Sequence, residues 1–330
     1  MKILIIQTAF IGDVVLATSL IEKLTSHHPD AAIHFLLRKG NEGLLSGHPH
    51  LKKIWVWDKK ESKYRNLFRL IFAIRAEEFD VVINCQRFTA SGLLTVFSKA
   101  KSKIGYSKNP FSLFFSERYA HVIGKKNDAS YLHEIERNQQ LIARLTDSIA
   151  VNPKLYPSIV DYESVKKFKA NKYITICPAS VWYTKQFPAA RWMELSSMIP
   201  ESYNVYLLGG LGDSMLCEEM KNLFPGKNMI NLAGELSFLQ TAALMNDAAM
   251  NYTNDSAPLH FASAMNAKVT AVFCSTIPQF GFGPLSSESH VLEEKQHLYC
   301  RPCGLHGYKS CPEKHFKCAW DLPIVTFLGE

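Results

Sequence analysis

Residues 253–260 read Thr-Asn-Asp-Ser-Ala-Pro-Leu-His, which brings an acid, a hydroxyl, a helix start and a histidine together over a short stretch of chain. Asp255 and Ser256 are N-cap types, Pro258 suits a first turn, and Leu259–Met265 continues as an apolar helix. The first N–H groups of a helix have no intrahelical partner and attract anions. Asp255, Ser256, Ala257 and His260 are therefore a candidate pocket for a phosphate or a sugar diphosphate. An ordinary capped helix with a surface histidine accounts for the same residues, and the octapeptide alone does not separate the two.

Two further places can carry chemistry. Gly12-Asp13 follows the first strand, at the end where α/β sites are built, and the carboxylate of Asp13 can accept a proton from an attacking hydroxyl. Its ordinary role would be an N-cap for a helix over Val14–His27. Lys185 lies in the loop 178–188, where it can neutralise a diphosphate leaving group, with Ser180 and Thr184 as additional donors. Gly209-Gly210-Leu211-Gly212-Asp213 lacks the third glycine of a dinucleotide fingerprint and reads as a tight turn capped by Asp213. No D-x-D triplet, P-loop, H-E-x-x-H or G-x-S-x-G occurs, so metal-bridged nucleotide-sugar binding is not indicated.

Of eight cysteines, Cys85, Cys177, Cys217 and Cys274 sit in apolar runs and read as core. Cys300, Cys303, Cys311 and Cys318 cluster with His306 and His315 in a loosely spaced, zinc-like tail. Reduced thiols packing a loop are favoured there over a structural metal.

The elements that must position these groups alternate. Strands are expected at Lys2–Gln7, Ile33–Arg38, Ile54–Trp57, Val81–Asn84 and Ile104–Tyr106, the last closing the first set. A helix is expected over Tyr64–Glu78 with Leu67, Leu70, Ile71 and Ile74 inward and Lys63, Arg65, Arg69 and Arg75 outward, and another over Glu134–Leu145. The pattern restarts with strands at Tyr173–Cys177, Val205–Leu208, Met229–Leu232, Ala248–Tyr252 and Val269–Cys274, and helices from Ala189 and Phe238. The boundary falls after residue 158, giving domains 1–158 and 159–330. Two doubly wound, Rossmann-like parallel sheets facing a central cleft make the GT-B architecture, which also serves sugar-nucleotide epimerases and phosphorylases.

With 47% hydrophobic residues and no apolar run of membrane-spanning length, the 330-residue chain reads as globular. Met1–Ile6 reads as a first strand and not a signal peptide, so a cytoplasmic protein is expected. The net charge of +7 divides into +9 for residues 1–158 and −2 for 159–330, which points the first domain at a polyanion: nucleic acid, acidic glycolipid or anionic membrane.

Several segments together resemble the ADP-heptose:lipopolysaccharide heptosyltransferases of glycosyltransferase family 9, closer to the heptosyltransferase II branch. They are Met1–Ile6 with 11–15 (Ile-Gly-Asp-Val-Val); 133–138 (His-Glu-Ile-Glu-Arg-Asn); Pro178-Ala179 with Lys185, Phe187, Pro188 and Trp192; 231–235 (Asn-Leu-Ala-Gly-Glu); and Asn254-Asp255-Ser256 with His260 and Ala262. The Cys-rich end also recurs in relatives. Ala257 departs from the usual glycine, so its turn must avoid positive φ or carry strain; Ser19 departs from a common proline.

The resemblance implies an inverting, metal-independent transfer of heptose from ADP-heptose, with no cofactor required, to the inner core of lipopolysaccharide. It places the general base on Asp13, the phosphate-binding lysine on Lys185 beside Thr184, the diphosphate turn on Asp255, Ser256 and His260, and the adenosine contact on or around Asn231. Residues 1–158 would then bind the acceptor through Gly12, Lys59, Lys60, Lys63, Arg65 and Arg69, and residues 159–330 the donor. The protein is expected to be a monomer, peripheral at the anionic cytoplasmic face of the inner membrane, with no nucleic-acid partner. Two rivals remain at this stage: a sugar-nucleotide epimerase of the same architecture, and a nucleic-acid-binding protein with a zinc tail, for which no aromatic-interleaved basic stripe is read.

Overall fold

The first strand, β1 (Lys2–Ile6), is apolar on both faces, and Ile3, Leu4, Ile5 and Ile6 are wholly buried. A strand without alternation belongs inside a parallel sheet covered on both sides. The computed structural model describes residues 1–223, 228–294 and 298–327. It divides into one unit of residues 1–123 and 132–156 and a second of 124–131 and 157–330.

In the first unit β1 leads into helix α1 (Ile11–His27), then β2 (Ala32–Arg38), β3 (Leu51–Trp57), α2 (Lys63–Ala76), β4 (Val81–Asn84), α3 (Thr89–Phe97), β5 (Ser102–Tyr106), β6 (Glu117–Tyr119) and α4 (Glu134–Gln140). All strand pairs are parallel, in the order β3-β2-β1-β4-β5-β6. The second unit runs α5 (Ile159–Val165), β7 (Tyr173–Cys177), α6 (Ala189–Ser197), β8 (Asn204–Leu207), α7 (Ser214–Asn222), β9 (Met229–Asn231), α8 (Phe238–Asn246), β10 (Met250–Asn254), α9 (Ala257–Met265), β11 (Val269–Phe273), β12 (Ser289–Glu293) and α10 (Lys317–Trp320). Its order is β12-β11-β10-β7-β8-β9, the same winding as the first sheet. Two Rossmann-like parallel sheets in one chain are the composition of the GT-B architecture. Each sheet reverses direction between its first and fourth strands, and that reversal opens a crevice at the carboxyl ends where ligands bind.

Several expectations need correction. The first sheet does not close at β5: β6 adds a short edge strand, and β12 does the same for the second sheet. Helix α4 stops at Gln140 instead of Leu145, because the following turns tighten to i→i+3 bonds such as Leu145 N to Ile142 O, and the Gln139 side chain donates to Asp147 O at 2.6 Å. Residues 124–131, expected in the first domain, belong to the second unit. There Gly124 lies so close to the Gln279 carbonyl that a Cβ would stand 2.1 Å from that oxygen, so only glycine fits. Among the described residues no helix is long and apolar enough to cross a membrane.

Candidate active site

In the first unit the residues between β1 and α1 form a loop held from three neighbouring strand ends. Gln7 accepts from the Gln86 amide, which follows β4, and Thr8 Oγ1 donates to Gln86 Oε1 at 3.3 Å. Asn41 Nδ2 donates to Ala9 O at 3.4 Å, and Lys59 Nζ, beyond β3, donates to Thr8 O at 2.7 Å. The helix after the loop begins at Ile11, not Val14, which places Gly12 and Asp13 inside its first turn. Asp13 is consequently not the N-cap. It is the third helical residue, and Oδ2 accepts from Phe10 N at 3.2 Å. One carboxylate oxygen thus serves the helix start, and the half-buried side chain sits at the carboxyl end of β1, beside the sheet's reversal.

Of the five basic residues singled out, Lys59 touches this loop directly. Its ammonium lies 4.7 Å from the Trp57 ring centroid, and burial, with Arg38 and Lys63 nearby, lowers its pKa to about 8. Lys63 therefore stands near enough to act on it. Lys60, Arg65 and Arg69 are exposed, the two arginines on the outer face of α2. Arg38, at the end of β2, was not foreseen; its guanidinium stacks 5.1 Å from the Phe10 ring. The signal that could have found it is its place at a strand's carboxyl end.

In the second unit β7 and β10 flank the reversal, and the loops that follow them converge. Lys185 ends a single 3₁₀ turn, Tyr183–Lys185, and its Nζ lies 2.7 Å from Asp255 Oδ2; the two side chains are 15% and 8% exposed. Thr276 Oγ1 donates to the same Oδ2 at 2.6 Å. Buried Asn254 staples the two loops, accepting from Phe187 N at 2.9 Å and donating to Pro178 O at 2.8 Å. Ser180 O accepts from the Gln186 amide at 2.6 Å, which closes the turn carrying Lys185.

Ser256 is the N-cap of α9, but its hydroxyl points back to Asn254 O at 3.4 Å and does not cap the helix. No side chain caps that helix start; Pro258 carries no N–H and Leu259 N bonds to Ser256 O at 3.1 Å, so Ala257 N is its candidate backbone donor. Ala257 is already helical and the turn is made with Ser256 at φ −155°, so the substitution for glycine brings no strain. His260 is buried one turn in, with its ring 6.4 Å from that of Phe282. Asn231 is engaged elsewhere: Nδ2 donates to Ser214 O and Glu218 Oε2, and Oδ1 accepts from Ala233 N, so the amide ties β9 to α7. Asp213 accepts from Gly210 N at 2.8 Å, the turn expected of the glycine-rich stretch.

The Cys-rich tail has an unforeseen place. Tyr308 N donates to Thr184 Oγ1 at 2.8 Å, Tyr308 O accepts from Thr184 N at 3.1 Å, and Ser275 Oγ donates to Thr184 Oγ1 at 3.1 Å. Thr184 is therefore occupied in anchoring the tail beside Lys185. Gly307, at φ +76°, passes so near that a Cβ would meet Thr184 Oγ1 at 2.8 Å. Buried Arg301 fixes the tail's other end. It donates to the carbonyls of Cys274 (2.8 Å), Phe273 (3.1 Å), Thr276 (2.7 Å) and Glu294 (3.1 Å) and pairs with Glu293 at 2.8 Å.

The four tail thiols lie near enough to one another for their charges to interact. Cys318 lies in the apolar core, and burial raises its thiol to about 12; burial also raises Cys303. Cys303 Sγ points at Cys300 O, and Cys300 Sγ stands 3.9 Å from His315 Nε2. Among the described residues no group of three or more His, Cys, Asp or Glu is disposed to hold an ion.

A lysine paired with a carboxylate beside a helix start can exchange that partner for a phosphate, because the anion gains both the ammonium and the positive end of the helix dipole. Lipopolysaccharide heptosyltransferase 3 of Escherichia coli is 25% identical over 81% of this chain and 82% of its own length. Lipooligosaccharide heptosyltransferase 2 of Haemophilus influenzae is 24% identical over 88% of each. The solved structure of E. coli ADP-heptose lps heptosyltransferase II shares the fold with a TM-score of 0.77 at 22% identity, covering 96% of this chain and 97% of that one. The family model for glycosyltransferase family 9 (heptosyltransferase) matches residues 67–312, from α2 through the tail that anchors Thr184, and the chain belongs to that family.

Proposed function

We propose that the protein transfers a heptose from ADP-heptose to the inner core of lipopolysaccharide, by a single displacement that inverts the anomeric carbon and needs no metal. The carrying observation is the Lys185–Asp255 pair at the start of α9. A site that already balances a buried ammonium against a carboxylate can release that ammonium to a diphosphate, which does the charge-stabilising work a metal does elsewhere. In the acceptor half, Asp13 removes the proton from a sugar hydroxyl as its oxygen bonds to the anomeric carbon. The bond from that carbon to the β-phosphate oxygen breaks, and ADP leaves with the electron pair. Lys185, the start of α9 and His260 receive the charge of the departing diphosphate, and the adenine lies toward β9, near the turn that Asn231 holds.

The acceptor carries phosphates and acidic sugars, and Lys59 with Arg38 and Lys63 stands beside the loop that leads to Asp13. Residues of the first unit thus take the acceptor and residues of the second the donor. The enzyme acts as a heptosyltransferase II-like monomer at the cytoplasmic face of the inner membrane.

The test is turnover of ADP-heptose with a heptose-deficient lipopolysaccharide core, with excess chelator, followed by NMR of the new anomeric centre. The expected result is chelator-insensitive transfer with inverted configuration. Consumption of nucleotide-sugar without any acceptor would mark an epimerase instead, and retention of configuration would remove the single displacement.

A further inference from the structure

Helix α2 is apolar on two faces. Leu67, Ile71 and Ile74 point into the core of the first unit, as its periodicity requires. On the other side Tyr64, Phe68 and Phe72 follow one another at one-turn spacing and are 70%, 58% and 70% exposed. Residues four apart stack along one helix face, so the three rings make a continuous row. Arg75 falls within that row and Arg65 and Arg69 flank it, all exposed, while Lys63–Ala76 contains no carboxylate. An aromatic-interleaved basic stripe is therefore present; it escaped the sequence reading because only the helical turn brings its members together.

Single exposed aromatics are ordinary, but an unbroken row beside unpaired arginines has no role in the core of this unit. We propose that this face of α2 docks the protein on an anionic lipid bilayer. The rings enter the boundary between headgroups and acyl chains, and the arginines reach the lipid phosphates. The charge complementarity is one-sided, since the helix offers four cations and no acid. The rings stand on a convex helix face, not in the basic groove by which single-stranded nucleic acid is tracked and stacked. The inference rests on the proposed function only in naming the membrane as the place where the acceptor is found.

The test is flotation of the full chain with vesicles of phosphatidylglycerol and phosphatidylethanolamine in equal parts, against vesicles of phosphatidylcholine. The protein should float with the anionic vesicles only, and less well as salt rises. The combined variant Tyr64→Ser, Phe68→Ser, Phe72→Ser should bind them at least about ten-fold more weakly while keeping its melting temperature, since the three rings face solvent. Equal flotation of the variant, or none by the unaltered chain, would overturn the proposal. So would a dimer, or an oligonucleotide complex, that the same variant dissolves. Flotation involves no sugar chemistry, so its failure and a failure of heptose transfer are separately visible.

Discussion

Lys185 and Asp255 follow different strands, β7 and β10, and meet at 2.7 Å where the second sheet reverses its order. Their contact balances a nearly buried ammonium against a carboxylate at the start of α9, the place where the proposed function puts the donor diphosphate. Removing one partner leaves the other exposed to the incoming diphosphate, with consequences of opposite sign for the two residues.

Replacing Lys185 by Ala should lower kcat for transfer by about a hundred- to a thousand-fold, the usual cost of a preorganised group facing developing charge. It also strands the Asp255 carboxylate, which would then repel the diphosphate, and should cost roughly 3 kcal/mol of stability. Adding Asp255→Asn to Lys185→Ala removes that repulsion. The double variant is therefore expected to bind ADP-heptose more tightly, and to melt higher, than the single Lys185→Ala. Calorimetry and thermal melts on the unaltered chain, both single variants and the double variant check this; strictly additive losses would separate the two residues.

Asp13→Asn keeps an oxygen able to accept from Phe10 N, so α1 should retain its start. What it loses is basicity. Transfer should fall by at least about a hundred-fold, on the order of 3 kcal/mol in the barrier, with ADP-heptose affinity unchanged. Single-turnover rates beside donor titrations distinguish this from a folding defect. Full activity in the asparagine variant would assign proton removal to another group.

Arg301 predicts an effect at a distance. Its guanidinium satisfies four backbone carbonyls and one carboxylate at the ends of β11 and β12. Arg301→Leu would orphan them and should destabilise the protein by about 3 kcal/mol. The tail it releases also carries Tyr308, whose backbone fixes Thr184 next to Lys185, so donor affinity should drop several-fold as well. Arg301→Lys should recover only part of either loss, because one ammonium cannot span a planar fork of partners. Melting temperature and ADP-heptose affinity that respond independently would break the link from Arg301 to Lys185.

Much of this was legible from residue types, and the remainder fails for identifiable reasons. Tyr173–Cys177 and Val81–Asn84 are continuous apolar runs and appear as strands with the expected bounds. Pro258 marks the first turn of α9. Lys185 and Asp255 could each be chosen from their places after strands, but not their pairing, since β10 lies beside β7 only through the crossover topology. The short edge strands β6 and β12 carry too few buried residues to leave a pattern. Arg301 was invisible because a charged residue among cysteines and prolines reads as surface, while its partners are backbone carbonyls, which have no signature in sequence. Asn254 lay within a recognised segment, yet its work as a staple between loops depends on distances alone.

Lys59 supplies a prediction about pH in which two trends run in opposite directions. Burial, then the nearby charges of Arg38 and Lys63, hold its ammonium at about 8, below the ordinary 10.5. Between those values the unfolded chain binds the proton that the folded chain has released, so this residue's contribution makes the fold more stable as pH rises from about 8 toward 10.5. In the proposed function acceptor binding does the reverse: above pH 8 Lys59 loses the charge proposed to attract the acceptor's anionic groups, and KM for the acceptor should rise. Donor affinity, which does not use Lys59, should stay flat through the same step. Lys59→Arg keeps its charge throughout, so the acceptor KM should lose that step. A rise in acceptor KM that persists unchanged in the arginine variant would place the titrating group elsewhere.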